Sequence, residues 1–375
     1  MSTAAITPTA TDPAPAASGA RVRRATWSSR IGALIGAVIV AWLVMLSLGD
    51  APATQTKVIE ICVFVVVASM WNVLAGFTGL VSIGQQAFVG LGAYTLIVFV
   101  NGFDGNIYVA IGPAAAVAAI AAVPIGLLAF RLRGAYFAVG MWVISEVVRL
   151  LVKQYKGRPI QGGSGTSLQA PTALYPAVER YQNTALIAVA LAVAAIVAVY
   201  LILRSNLGLA LQAVRDSEQG ARGLGVAAYR ARFTVFIIAA LFTGAAGCVW
   251  YVLKLRISPD TAFGVADWTA PIIVMVVLGG LGTIEGPIIG AAGWYLLRDY
   301  LTDDDSAVHL DDLWYLVLTG GLAVIAALYA QRGVWGTLQQ RFASLQLFPL
   351  RRTLVVTDAD TDGTAVTTQQ RSSHE

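Results

Sequence analysis

Side chains that carry out catalysis are sparse in this sequence and poorly spaced for it. Cys62 and Cys248 lie in apolar segments without Cys or His neighbours at ligand spacing, which indicates neither a disulfide framework nor a metal site. The run Gly162 to Gly165 lacks the lysine with which a P-loop reaches phosphates. His309 is the only histidine outside the C-terminal tail and lies in an acidic loop, so no nucleophile and base pair is recognisable. We therefore expect no catalysis, no metal and no cofactor in this chain.

The segment 206–232 has a pattern that suits binding to another surface. Apolar residues recur along it at helical spacing, polar residues occupy the other side, and Glu218 interrupts the apolar stripe. The stripe consists of Leu207, Leu211, Val214, Ala221 and Leu224, and the polar side of Gln212, Arg215, Asp216, Gln219 and Arg222. A helix this short is not stable alone, so its apolar side must rest on this chain, as a lid, or on a partner protein.

Composition predicts the elements that hold this segment. Hydrophobic residues make up 57% of the chain and charged residues 12%, against about 25% charged residues in soluble domains. Mean hydropathy is +0.71. Because roughly 20 apolar residues cross a bilayer, we predict an all-α polytopic integral membrane protein with about ten transmembrane or re-entrant helices. The predicted spans are 31–48, 58–74, 83–100, 107–130, 135–152, 184–203, 233–252, 268–281, 287–300 and 313–330.

Three of these spans have the composition of broken helices. The third, eighth and ninth are short or glycine-rich, as a pair of re-entrant segments would be. Broken helices survive in lipid only where protein covers them or where they line a cavity. We therefore expect these spans near the middle of the molecule.

The positions of the arginines predict the orientation. They cluster before the first span, at 131–133, at 204–232 and at 332–352, which the positive-inside rule places in the cytoplasm. We predict a disordered cytoplasmic tail over 1–30, a transmembrane domain over 31–336, and a cytoplasmic tail over 337–375, of which 353–375 should have no fold. The loop 153–180 is an exception. It is predicted to be external but is cationic, either because the spans are miscounted or because the loop meets an acidic partner.

Several motifs together resemble the permease family of branched-chain amino-acid ABC importers. They are NVLAGFTGLVSIGQQAFVGLGAY at 72–94, RGAYFA at 133–138, GGSG at 162–165, AVRDSEQGARGLGV at 213–226, SP at 258–259, VVLGGLGTIEGP at 276–287 and RGVWG at 332–336. The resemblance covers roughly 58–336, and the Arg-Gly-x-Tyr-Phe segment is similar to that of the second of the two permease subunits.

Two departures from the family pattern bear on the solute. Gln85 follows Gly84 where many relatives have histidine, and Gly165 directly follows Ser164 where many have an intervening aspartate. Since relatives also carry urea and other small polar or carboxylate solutes, these remain alternatives to a branched-chain amino acid.

The resemblance implies a complex in the bacterial inner membrane. Its other members are a second permease, two ATP-binding subunits that bind ATP and Mg, and a periplasmic or lipid-anchored solute-binding protein. Membrane lipid surrounds such a complex, and no nucleic acid is implied. The segment 207–226 then corresponds to a coupling helix that docks on an ATPase through Leu211, Val214, Arg215, Glu218, Arg222 and Leu224. Arg215 and Arg222 are each spaced to pair with Glu218 along the helix.

We assign the solute pathway to polar residues of glycine-rich or motif segments. The candidates are Ser82, Gln85, Gln86, Tyr94, Tyr136 and Glu146. For the glycines of 76–92, close helix packing is the plain alternative. Glu146 is also spaced to pair with Arg149 at the outer end of its span, where both would reach the interface.

Two other classes of function stay open. An ion-coupled secondary transporter predicts intramembrane carboxylates in matching halves, for which the chain offers mainly Glu146 and Glu285. A scaffold protein would not need glycine-rich spans or a solitary amphipathic helix.

Overall fold

Apolar segments of the chain form long helices in the computed structural model, which describes residues 20–23, 27–155, 157–160, 162–168, 176–302, 317, 320–321, 324, 333–341 and 353–356. The helices with described bounds are α1 (Trp27–Ser47), α2 (Pro52–Asn72), α3 (Gln85–Ile97), α4 (Ile111–Ala129), α5 (Ala135–Gln154), α6 (Ala177–Arg204), α7 (Asn206–Asp216), α8 (Glu218–Gly223), α9 (Ala228–Lys254), α10 (Pro259–Ala262), α11 (Ala270–Gly279), α12 (Glu285–Thr302) and α13 (Gly333–Arg341). The all-α prediction is confirmed.

Five helices in the described ranges are long and apolar enough to cross a membrane. They are Pro52–Phe77, Ile111–Ala129, Ala135–Gln154, Ala177–Arg204 and Ala228–Lys254, and Leu34–Ser47 and Val265–Gly279 are shorter apolar helices. These helices overlap seven of the predicted spans. The predicted count of about ten is not confirmed within the described residues, and the tenth predicted span, 313–330, lies almost wholly outside them.

The helix bundle has two ends of different composition. Arg131, Arg204 and the helices α7 and α8 lie at one end, which we name the arginine end. Asp50, Asp104 and Asp260 lie at the other, the aspartate end, where Gln182 at the start of α6 donates to Asp50 and Lys153 at the end of α5 to Asp260.

Two units of the bundle run in opposite directions. In the first, α2 runs to the arginine end and finishes in a π-helical turn, Val73–Phe77, after which residues 78–84 lead back to α3. In the second, α9 runs to the aspartate end, and residues 255–264 lead back to the helical segment Val265–Gly279, whose first turn is π-helical. Each unit is thus a long helix followed by a short helix of reversed direction.

The short helix α3 packs tightly because glycines face each other. Gly92 lies against the carbonyl of Gly244 on α9, and Gly247 lies against Val89, so a Cβ at either glycine would overlap backbone atoms. Phe88 fills the adjoining space, with its ring centroid 5.5 Å from that of Phe236. Close helix packing, the alternative proposed for the glycines of 76–92, therefore accounts for Gly92.

The tails contain short strands where the sequence predicts no fold. Ala20–Arg23 (β1) pairs antiparallel with Thr353–Val356 (β4). The alternation in β1 and the run Leu354 to Val356 favour this conformation, because branched apolar residues suit extended backbone. A second pair, Thr166–Ser167 (β2) with Arg256–Ile257 (β3), closes the aspartate end.

Candidate functional site: a buried joint and a charged clasp

The first turns of α3 and of segment 265–279 meet in a cluster of amides and hydroxyls. It consists of Gln85, Gln86, Ser145, Thr243 and Thr269, and we name it the mid-bundle joint. Gln86 Nε2 donates to Ser145 Oγ at 2.7 Å, and Thr269 Oγ1 donates to Gln86 Oε1. Gln85 Nε2 donates to Thr243 Oγ1 at 2.7 Å. Since Ser145 and Thr243 lie near the middle of α5 and α9, the joint ties both short helices to the bundle at mid-length.

The joint is neutral and buried. Each of its residues is at most 2% exposed, and it contains no ionisable side chain. Buried polar groups are tolerated when they are hydrogen-bonded, and Gln86 satisfies this with both ends of its amide. Gln85 Oε1 has no partner among the described residues and is an acceptor without a donor. The arrangement therefore holds one free hydrogen-bonding position within an otherwise satisfied cluster.

The structure brings four of the six predicted solute-pathway residues together. Gln85 and Gln86 belong to the joint, and Ser82 precedes them, with its carbonyl accepting from Trp71 Nε1 at 2.7 Å. Tyr94 lies further along α3 and stacks on Phe263 with ring centroids 5.8 Å apart. All four are buried inside this chain.

Tyr136 and Glu146 lie elsewhere. Tyr136 is 77% exposed in the first turn of α5, at the arginine end. Glu146 accepts from Arg149 Nε at 2.9 Å, and Arg149 also donates to Asp260. Lys153 Nζ lies 3.1 Å from Asp260 Oδ1, and its hydrogen bond lowers the pKa of Asp260. The predicted Glu146–Arg149 pair is therefore present, and Lys153 of the cationic loop meets an acidic partner in this same chain.

At the arginine end, three parts of the chain converge on two glycines. We name this site the arginine-end clasp, formed by Asn72, Gly76, Arg215, Gly282 and Thr283. Arg215 Nη1 donates to Gly76 O at 2.5 Å. Asn72 Oδ1 accepts from Gly282 N at 2.8 Å, and Asn72 Nδ2 donates to Thr283 O at 2.7 Å. The clasp therefore joins α7 to the π-helical turn that finishes α2 and to the loop that follows α11.

Glycine is required at the centre of the clasp. A Cβ on Gly76 would lie 2.6 Å from Gly282 N, and Gly282 has φ +78°, a left-handed conformation that side chains disfavour. The two backbones can therefore approach closely enough for Asn72 to bridge them.

The predicted single coupling helix over 207–226 is two helices. Ser217, in extended conformation, ends α7 and caps α8 by accepting from Gly220 N at 3.1 Å. Leu211, Val214 and Ala221 are buried in this chain, whereas Leu224 is 85% exposed. The prediction that Leu211 and Val214 present a docking surface is wrong, because the bundle itself covers them.

Glu218 pairs within its own chain. It accepts from Arg222 Nη2 at 2.5 Å and from Arg232 Nη1 at 2.7 Å. The hydrogen bond from Arg232 lowers the pKa of Glu218. The predicted pairing with Arg222 is confirmed, while that with Arg215 is wrong because Arg215 reaches Gly76.

Comparisons with known proteins identify the family of this chain. Residues 54–327 match the sequence model of the family described as branched-chain amino acid transport system / permease component. The chain belongs to this family. It is 27% identical to the high-affinity branched-chain amino acid transport system permease protein LivM of Salmonella typhimurium, over 79% of this chain and 72% of that protein. LivM of Escherichia coli is 27% identical over the same shares. No solved structure matches the chain.

Family membership explains the apolar surface of the bundle. This member of the family is a multi-pass membrane protein, and its relatives are transport subunits. Among its described residues no group of three or more His, Cys, Asp or Glu side chains could hold a metal ion. Cys62 and Cys248 are free and buried.

Two residues with long-range contacts, Asn72 and Glu60, are not among the site residues predicted from the sequence. Asn72 was visible as the first residue of a family motif, but its partners lie 210 residues away. Glu60 lies buried in α2 and accepts from Lys254 Nζ at 2.8 Å. A carboxylate within an apolar span is itself a signal of function or pairing, so Glu60 could have been found.

Proposed function

We propose that the chain is the membrane-spanning permease subunit of an ABC importer for a small polar solute, with a branched-chain amino acid as the first candidate. Its partners are a second permease, two ATP-binding subunits that bind ATP and Mg, and a periplasmic or lipid-anchored solute-binding protein. The observation that carries the proposal is the pair of reversed short helices, since transporters place such broken helices at the solute path. Family membership supports the same function.

In this proposal, α7 and α8 form the coupling segment in the cytoplasm. Leu209 on α7 and Leu224 after α8 are 61% and 85% exposed, so they take over the docking surface for an ATPase. Arg222 flanks them with an exposed guanidinium that can meet acidic groups of the partner. The arginine end then faces the cytoplasm and the aspartate end faces the exterior. Both termini lie on the cytoplasmic side of the bacterial inner membrane.

The lipid and the second permease cover the apolar faces. On α5 the side chains of Val139, Val143, Val147 and Leu151 form a stripe that is at least 49% exposed. Soluble monomers rarely show contiguous apolar patches of this kind, whereas a helix facing lipid or a second membrane subunit requires one.

Uptake by the assembled complex tests the proposal. The chain is co-expressed with the permease, ATPase and binding-protein genes that neighbour it, and the complex is reconstituted in proteoliposomes. We expect ATP-dependent accumulation of leucine. Accumulation of urea instead would show that urea, and not a branched-chain amino acid, is the solute. The neutral amides of Gln85 and Gln86 make urea a specific alternative. Accumulation driven by an ion gradient without ATPase subunits would refute the ABC assignment.

Labelling of cysteines tests the orientation. Because Cys62 and Cys248 are buried, Arg222→Cys gives a single accessible thiol. We expect a membrane-impermeant maleimide to reach it only after the cells are opened. Labelling from outside intact cells would reverse the predicted topology.

A further inference from the structure

The clasp binds the two reversed units to each other at the arginine end, and the joint binds them at mid-length. Asn72 at the end of α2 holds the backbone that follows α11, at Gly282 N and Thr283 O. Thr269 in the segment leading into α11 holds Gln86 at the start of α3. The short helices are therefore fastened at two points along the bundle and must move together.

Arg215 fastens α7 to this assembly at a single position. Its Nη1 donates to Gly76 O, the carbonyl of the turn that precedes the return to α3. The same Nη1 lies 3.1 Å from the position that a Cβ of Gly282 would occupy, so the guanidinium also packs on the backbone after α11. A charged donor on a backbone carbonyl is among the stronger hydrogen bonds in proteins. A displacement of α7 therefore acts on both units through one side chain.

A second connection from α8 reaches a neighbouring point. Arg232 joins Glu218 to the first unit, with Nη2 lying 3.4 Å from Thr78 O. This contact is longer than that of Arg215 and involves the first unit only. The stronger connection to both units is therefore the clasp.

We propose that Arg215, acting with Asn72, is the positioning residue that transmits movement of α7 to both short helices at once. The proposal rests on the proposed function, because the movement of α7 comes from an ATPase docked on it. Arg215 contacts neither the solute nor ATP in this role. Its substitution should uncouple hydrolysis from movement and leave the fold in place.

The test measures coupling in the reconstituted complex with three variants. Arg215→Ala removes the donor, and Arg215→Lys restores one charged donor. Arg204→Ala removes an exposed arginine that donates to Tyr200 of its own helix. We expect Arg215→Ala to lower leucine taken up per ATP hydrolysed by about tenfold, in the range of ordinary coupling free energies. Arg215→Lys should recover most of the loss, and Arg204→Ala should match the wild-type ratio. An unchanged ratio in Arg215→Ala would overturn the proposal.

A distance measurement separates transmission from a merely structural role. Spin labels at Gln212→Cys, an exposed position on α7, and at Leu281→Cys in the clasp loop are compared with a reference label at Arg131→Cys. In the otherwise native complex, trapping with ATP and vanadate should change both distances to the reference while the 212–281 distance stays constant. In Arg215→Ala, the 212 label should still move and the 281 label should not. Joint movement of the two labels in Arg215→Ala would also overturn the proposal.

The same two experiments distinguish this proposal from the proposed function. A complex with native Arg215 that hydrolyses ATP and moves the 212 label but takes up no leucine counts against the solute assignment, and the label distances still decide the role of Arg215.

Discussion

The mid-bundle joint and the arginine-end clasp fasten the same two short helices with different chemistry. The joint uses neutral amides and hydroxyls that are at most 2% exposed, and the clasp uses a guanidinium, an amide and backbone groups beside solvent-exposed helices. A charged side chain costs much more free energy at the centre of a bilayer than at its edge, so each chemistry suits its depth. The difference fits our proposal that the joint holds the short helices in place and that the clasp transmits the movement of α7.

Breaking the joint at Gln86 should have the largest effect. Gln86→Leu keeps the volume but leaves the Thr269 hydroxyl without its acceptor, at a cost of about 1 to 3 kcal/mol for an unsatisfied buried group. It also removes the donor to Ser145 Oγ, which keeps its own hydrogen bond to Trp142 O. We expect a lower melting temperature of the purified permease and loss of uptake. The control is Gln212→Leu, which removes an exposed amide on α7 and should leave the melting temperature unchanged. A fully stable Gln86→Leu protein would show that the joint does not hold the helices.

Breaking the clasp at Asn72 should lower stability less than Gln86→Leu does and should act mainly on the coupling of ATP hydrolysis to uptake. Asn72→Leu removes two hydrogen bonds to the backbone at Gly282 and Thr283, each worth about 1 kcal/mol net. We expect assembly to persist while uptake per ATP falls. Asn72→Asp keeps the acceptor for Gly282 N, so its uptake per ATP should lie between that of the wild-type protein and that of Asn72→Leu. If Asn72→Leu lowers stability as much as Gln86→Leu does, the two sites do not differ in role.

Gln85 tests whether the joint also meets solute. Gln85→Leu removes one hydrogen bond to Thr243 and the unpartnered Oε1, so its stability cost should be about 1 kcal/mol. A pathway role predicts altered preference among leucine, valine and urea with normal basal ATPase activity. Wild-type rates and preference would remove Gln85 from the pathway.

Glu218 should give the smallest change in stability. The Glu218 side chain is 38% exposed, so water screens its pairs with Arg222 and Arg232, and they contribute less than about 1 kcal/mol. Because the pKa of Glu218 is lowered in the folded protein, this contribution is present above pH 4.5 and declines as the pH falls below it. Glu218→Gln should remove that part of the acid dependence in a melting series.

Charge reversal at the same position tests coupling. Glu218→Arg places a third cation beside Arg222 and Arg232 and should lower uptake per ATP with the protein still inserted. Wild-type uptake by correctly inserted protein would exclude Glu218 from coupling.

The sequence alone determined what depends on local pattern. Hydropathy and helical spacing located the long helices, because roughly 20 apolar residues are needed to cross a bilayer wherever they occur in the chain. Glycine content singled out two of the broken segments, and the spacing of Glu218 and Arg222 predicted their pair one helical turn apart.

Tertiary structure decided which distant residues meet. Ser217 divided the predicted coupling helix by taking an extended conformation, and burial of Leu211 and Val214 turned the expected docking stripe inward. Arg215 could pair with Glu218 by spacing, yet it reaches Gly76 instead, 139 residues away, and Asn72 bridges to a loop 210 residues away. Such contacts depend on how the reversed units pack, which no periodicity within a single helix encodes.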